Sequence, residues 1–238
     1  MSPLGIPCII LYRKGCVYLN QTGLKQKLHG EYRDVLSYLY GSEQLKKQIE
    51  RYSAAVDCYR AIFGERDHLF LFSAPGRTEI GGNHTDHQRG RVLAASIDLD
   101  AIAVVSPDES GEIRIKSEGH DENVVQLSRL EPISGEENTS TALVRGIAAR
   151  FTELGYKVGG FTAYTTSNVL AGSGLSSSAA YEVLVGTILS GLYNNASVDP
   201  VTIAQIGQYA ENNYFGKPCG LMDQAASSVG GLVMIDFE

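Results

Sequence analysis

The sequence has 238 residues, 43% of them hydrophobic and 20% charged, which allows a sizeable core and excludes a disordered chain or a coiled coil. At this length one large domain or two small ones are expected, since domains commonly run to about 100–200 residues. The 20 Lys plus Arg against 27 Asp plus Glu leave a net charge of −7, which argues against general nucleic-acid binding but not against a site for one small anion.

Cys8, Cys16, Cys58 and Cys219 form no CxxC pair, so neither a zinc ribbon nor a thioredoxin motif is indicated, and free thiols fit a reducing cytoplasm. Pro3 to Tyr12 is apolar but precedes Arg13 and Lys14, the wrong order for a signal peptide. No apolar run approaches the roughly 20 residues of a membrane span. A soluble cytoplasmic protein is expected.

Residues 1–41 are weakly patterned, and only Tyr32, Leu36, Leu39 and Tyr40 suggest a short helix. We read this stretch as an N-terminal extension of unknown role and 42–238 as the folded domain. Leu45, Ile49, Tyr52, Val56, Tyr59 and Phe63 recur at helical spacing, with Ser42 as N-cap and Gly64 as stop. Leu69 to Ala74 reads as a strand broken by Pro75-Gly76. Residues 76–91 form a polar, glycine-containing loop. Val92 to Val105 is β-branched and interrupted at Asp98 and Asp100, hence one or two strands. Glu112 to Lys116 alternates as a half-exposed strand that Val124 to Leu127 pairs with. A helix follows over Thr139 to Leu154, then a strand over Phe161 to Thr166. A Gly/Ser-rich loop opens a helix at about Ser177 to Tyr193. Asp199 caps a helix with Pro200 at its first position, and Leu232 to Ile235 is a last strand. Helices and strands mix without strict alternation, so the class is α+β.

Three segments carry candidate chemistry. In the strand–loop–helix at 161–193, Gly172 and Gly174 let the backbone approach an anion, and Ser176, Ser177 and Ser178 offer hydroxyls at a helix N-terminus. Such a start presents open N–H groups and the positive dipole end, which suits phosphate. A Ser-rich loop that merely caps a core helix reads the same way. No Lys makes it a Walker loop, no third Gly a dinucleotide fingerprint, and no Gly-x-Ser-x-Gly a nucleophile elbow. The second segment, Pro75 to His87, clusters polar groups after a strand. His84, Asp86 and His87 offer only weak metal-ligand spacing, with no matching cluster downstream. The third, Cys219-Gly220-Leu221-Met222-Asp223-Gln224, holds an acidic residue at a helix start, where a cap is the common role. Glu211 near the end of the preceding helix opposes that helix's dipole, a conflict a cation would relieve.

In this order, Pro-Gly-Arg…His-Thr-Asp, Gly-x-Gly-Leu-Ser-Ser-Ser-Ala and Cys-Gly-Leu-Met-Asp-Gln, the chain resembles the galactokinase branch of the GHMP small-molecule kinases from about Tyr52 to Glu238. The resemblance implies a ribosomal-protein-like two-layer fold of a mixed sheet with helices. It implies ATP-dependent phosphorylation of the anomeric hydroxyl of a hexose, galactose above all, with ATP and Mg²⁺. Gly172, Ser173, Gly174, Leu175, Ser176, Ser177 and Ser178 would wrap the ATP phosphates. Ser178 and Glu211 would hold Mg²⁺ as hard oxygen ligands. Asp223 would take the sugar proton beside Arg77, and Asn83, His84, Asp86, Gly220 and Asp223 would contact the sugar.

The sequence departs from the family's first motif, Arg-x-Asn-Leu-Ile-Gly-Glu-His-x-Asp-Tyr. Glu79, Gly81, Asn83 and His87 replace its Asn, Ile, Glu and Tyr, and Ala171 replaces a Pro before the phosphate loop. Asn83 falls on the sugar side, so a different sugar is an alternative, as is a non-catalytic sugar sensor on the same fold. The family's C-terminal domain, with its third glycine motif and a sugar-contacting tyrosine, has no counterpart in these residues. A fragment with little activity alone is therefore expected.

Overall fold

The computed structural model describes residues 9–10, 19–82, 90–170 and 172–238. Its framework is a mixed sheet. Strands β2 (Phe70–Gly81), β3 (Arg91–Asp108), β6 (Gly160–Ser167), β4 (Glu112–Ser117) and β5 (Glu122–Gln126) lie side by side in that order. β1 (Ile9–Ile10) borders β2, and β7 (Leu232–Asp236) pairs with the first half of β3. Among the described residues only β4 and β6 run parallel.

The central strands are apolar on both faces, and their alternation says where cover is needed. Phe72 and Ala74 of β2 and Ala101, Ala103 and Val105 of β3 face one core. That core is closed by α4 (Ser140–Glu153), α5 (Ser177–Tyr193) and α6 (Pro200–Ala210), through Ile147, Phe151, Val183, Ile188 and Ile206. Leu71, Ile102 and Val104 face the other side. There α1 (Gln21–His29), α2 (Arg33–Tyr40) and α3 (Leu45–Phe63) cover them. A last helix, α7 (Met222–Val229), seats Met222 and Ala226 on Val92 and Ala94 of β3.

The α+β class with a mixed sheet holds, but residues 19–63 add a third layer to the two that the sequence suggested. The segment taken as an extension shares a core with the rest. Leu24, Leu28, Leu36, Leu39 and Tyr40 pack with Tyr52, Val56 and Ile102. No break in packing falls at residue 41. Two helices occupy this stretch where one was expected, because α1 shows only Leu24 and Leu28 on its buried face beside Gln21. The N-cap of α3 is Gln44, which makes no side-chain cap bond, rather than Ser42. Gly64 ends the helix as expected, at φ 77.

β2 does not stop at Pro75-Gly76. Pro75 pairs with Asp100 and Arg77 with Ser96, so Gly76 alone stands opposite residues 97–99. The extra residues of this bulge therefore lie on β3, opposite Gly76, and such bulges are common beside functional sites. The acidic interruptions at Asp98 and Asp100 likewise leave β3 one continuous strand. The helix that Asp199 and Pro200 open gives way to a π-helical turn at Glu211–Phe215, and such turns often mark functional positions.

Candidate functional site

The stretch of β2 at Gly76, opposite the β3 bulge, is the hub of the site. A Cβ on Gly76 would lie 2.8 Å from the Leu175 carbonyl oxygen, so only glycine lets the strand touch the loop before α5. The next residue exploits the approach. The backbone N–H of Arg77 donates to the Leu175 carbonyl at 3.1 Å, and its Nη1 donates to the Gly174 carbonyl at 2.7 Å. Its Nε donates to Oδ1 of Asp223 at 2.7 Å. Asp223 sits in the first turn of α7, and Ser227 of that helix donates to the Pro75 carbonyl at 2.6 Å. Strand, loop and helix are thus locked at one point, with the guanidinium buried and the Asp223 side chain 29% exposed.

The loop has the shape an anion cradle needs. Gly172, Gly174 and Ser176 all adopt left-handed backbone conformations, at φ 75, 77 and 58. The Ser173 hydroxyl is committed to the Leu170 carbonyl at 2.6 Å. α5 starts at Ser177 with no side chain capping its first turn, so its leading N–H groups and dipole are available to a phosphate.

Two cavities meet at this helix start. One of about 650 Å³ is lined by Ser178, Glu211, Lys217, Gly220 and Asp223 among others. The second, about 410 Å³, is bounded by Leu143, Val169, Leu170, Tyr181 and Phe215 together with Ser177 and Ser178. Ser178 lines both. The first is acidic. Glu211 is buried and accepts from Nε2 of Gln224 at 3.0 Å, with Nζ of Lys217 at 3.5 Å. The same Gln224 nitrogen donates to Glu182 at 3.0 Å. Oε1 of Glu182 and Oε1 of Gln224 are buried without a hydrogen-bond partner. Burial and then the Glu211 charge push the Glu182 carboxyl up to about 8, against the Gln224 hydrogen bond. Burial and Glu211 also push the Cys219 thiol up, which makes it a poor nucleophile.

Buried carboxylates and orphaned oxygens beside a hydroxyl are what a hard divalent cation requires. Among the described residues no three His, Cys, Asp or Glu side chains converge into a self-sufficient metal site. Ser178 and Glu211 therefore fit Mg²⁺ bound in its usual way, by few protein oxygens plus water and phosphate.

Of the residues the sequence singled out, the structure brings Arg77 and Asp223 into contact, sets the 172–178 loop against them, and lines one cavity with Ser178, Glu211, Gly220 and Asp223. Asn83, His84, Asp86 and His87 lie outside the described residues, as does Ala171. Sequence reasoning missed Glu182 and Gln224. The signal for Glu182 was a lone carboxylate in the apolar run Ala179 to Ile188.

This geometry matches a known group. The model for the N-terminal domain of GHMP kinases matches residues 142–231, and the galactokinase galactose-binding signature matches residues 57–107. The chain belongs to the galactokinase branch of the GHMP kinases. It is 33% identical over 174 residues to the galactokinase of Bacillus subtilis, covering 72% of this chain and 44% of that protein. A galactokinase from Lactococcus lactis, solved in complex with galactose, superposes with a TM-score of 0.73 at 30% identity, covering 78% of this chain and 49% of that one. The mevalonate kinase of Methanococcus jannaschii shares the fold at 18% identity, with a TM-score of 0.59 over 70% of this chain and 53% of that one. The chain thus spans about half the length of the galactokinases it matches. Among the described residues no helix is long and apolar enough to cross a membrane.

Proposed function

We propose that this chain provides the nucleotide- and sugar-binding part of a galactokinase, which moves the γ-phosphoryl group of ATP to the anomeric hydroxyl of a hexose, galactose first. The observation that carries this reading is the Arg77–Asp223 pair, 2.7 Å apart, beside two cavities that share Ser178 at the open N-terminus of α5. In this reading the smaller, partly apolar cavity receives the nucleoside and the acidic cavity receives the sugar.

The polyphosphate lies along the loop and the uncapped amides of α5. Asp223 accepts the hydroxyl proton as the sugar oxygen attacks the γ-phosphorus and the bond to the β-phosphate oxygen breaks, releasing ADP. A carboxylate has roughly four acceptor sites, of which Arg77 and Ser176 take one each on Asp223. Arg77 keeps Asp223 ionised and offsets charge on the transferred group, in a reaction governed by positioning and electrostatics. Ser178 and Glu211 would hold Mg²⁺, which would neutralise phosphate charge. The free thiols of Cys58 and Cys219 fit a cytoplasmic setting.

The test is a coupled ADP-release assay of the complete protein against a panel of free hexoses. Turnover of galactose is expected, and no turnover with any sugar overturns the reading. A second reading, a different sugar on the same machinery, rests on Asn83 standing where the family carries Glu. In the same panel it predicts another hexose ahead of galactose.

A further inference from the structure

Serine is among the residues best suited to cap a helix, where its hydroxyl accepts from a backbone N–H in the first turn. In this chain Asn20, Thr139 and Asp199 do so for α1, α4 and α6. Ser176 stands at the same position of α5 and makes no such bond. Its backbone is left-handed, at φ 58 and ψ 61, a conformation that a residue with a Cβ adopts at a cost. The Ser176 carbonyl still accepts the first helical hydrogen bond, from Ala180 at 3.1 Å, so the helix start itself is intact. What the unusual backbone changes is the direction of the hydroxyl. Oγ of Ser176 donates to Oδ2 of Asp223 at 2.5 Å, across 47 residues of sequence. Arg77 holds the other oxygen, Oδ1, at 2.7 Å.

We infer that Ser176 is a positioning residue for Asp223, not a phosphate-binding hydroxyl of the loop. Arg77 and Ser176 take one carboxylate oxygen each and so fix the plane of the group at the wall of the cavity. Because the hydroxyl is turned toward Asp223, it does not cap α5, and the first-turn amides stay available to an anion. One backbone conformation thus orients the proton acceptor and keeps the phosphate end of the site open. The inference rests on the kinase reading given above.

The decisive comparison is steady-state kinetics of the complete protein and its Ser176→Gly variant. Glycine accepts the left-handed backbone without strain, so this change removes the hydroxyl and leaves the loop free to keep its path. The expected result is a kcat lowered about 10- to 100-fold, the size of one lost hydrogen bond to a charged group, with nucleotide KM within about twofold of the parent, because the affected interaction lies at the reacting centre and not on the phosphates. Ser176→Asn, which tolerates the same backbone and restores a donor, recovers part of the kcat. Thermal melting of each variant reports folding independently. A raised nucleotide KM with kcat intact would place the hydroxyl on phosphate and overturn the inference, as would a Ser176→Gly enzyme as fast as the parent. If the parent turns over no sugar, the kinase reading falls and the inference with it. If the parent is active and the variant is too, only the inference falls.

Discussion

Asp100 is fully buried in the middle of β3, and its environment predicts the largest single-site effect on stability. Its carboxylate accepts from Nη1 of Arg51 at 2.6 Å, from the Tyr40 hydroxyl at 2.6 Å and from the Ser73 hydroxyl at 2.5 Å. Nη2 of Arg51 also donates to the Asp100 backbone carbonyl at 2.9 Å. Burial and the Asp100 charge push the Tyr40 hydroxyl well up, so it stays a proton donor. These contacts tie α2 and α3 to β2 and β3 beside the bulge opposite Gly76. Arg51→Met leaves the carboxylate buried with two neutral donors and no cation. Breaking a buried pair from one side costs about 3–5 kcal/mol. In urea, with a slope of roughly 3 kcal/mol/M, the unfolding midpoint falls by about 1–1.7 M. Asp100→Asn keeps an acceptor for the two hydroxyls but strands the guanidinium, and is expected to cost a similar amount. The double variant has neither an uncompensated anion nor an uncompensated cation. It therefore recovers roughly 0.5–3 kcal/mol relative to the sum of the singles. A shift below about 1 kcal/mol for Arg51→Met, which is the range of an exposed pair, or strict additivity in the cycle, would refute the account of this network.

The remaining expectations concern the site. Asp223→Asn should lower turnover about 10²- to 10⁴-fold, the usual worth of a positioned acid–base group, with sugar binding still measurable by calorimetry. Gly76→Ala drives a methyl to 2.8 Å from the Leu175 carbonyl and should cost roughly 1–3 kcal/mol in denaturant unfolding, as overpacking does. Glu182 is raised from an ordinary 4.5 to about 8 by burial and by Glu211. A carboxyl raised on folding stabilises fully below its unfolded value and loses that contribution as pH rises toward the folded one. The metal-free protein should therefore melt at progressively lower temperature from pH 5 to pH 8, and Glu182→Gln should flatten that trend. Removing Mg²⁺ with a chelator should weaken ATP binding at least about tenfold by calorimetry, because the phosphates then meet the acidic wall without the cation that would bridge them to Glu211. Equal affinity with and without the cation would contradict the proposed role of Ser178 and Glu211.

Much of the fold was legible because periodicity reports burial directly. The spacing-four residues of α3 and α4, the Asp199-Pro200 start of α6 and the alternation of β4 all lie where the pattern put them. What stayed hidden depends on contacts distant in sequence. Asp100 looked like an interruption because its partners are 27, 49 and 60 residues away. Pro75-Gly76 looked like the end of a strand, because a bulge that accommodates both is specified by the loop 99 residues on, at Leu175. In the site, the residue types announced the loop and the acid. Which hydroxyl faces which group could not be read from three consecutive serines: Ser176 turns to Asp223, while Ser178 lines the cavities.

The acidic balance of the chain is consistent with a polyanion site once the source of its positive potential is considered. Among the described residues Arg77 and Lys217 are the cationic side chains in contact with the acids of the larger cavity, and both are paired with carboxylates, Asp223 and Glu211. Neither is left over as a phosphate anchor of the P-loop lysine kind. Among the described residues the attraction for phosphate then comes from the backbone: the left-handed turns at Gly172 and Gly174, the uncapped amides of α5, and its dipole. Such a site adds nothing to a count of Lys and Arg, which is why net charge excluded nucleic acid but said nothing about a nucleotide. It also places the demand for a cation on the carboxylate side, at Glu211, where the orphaned oxygens of Glu182 and Gln224 are found. In the proposed reading the helix start supplies the fixed positive field and the acidic wall the proton acceptor and metal ligand. The bulge at Gly76 brings the two within one hydrogen bond of each other.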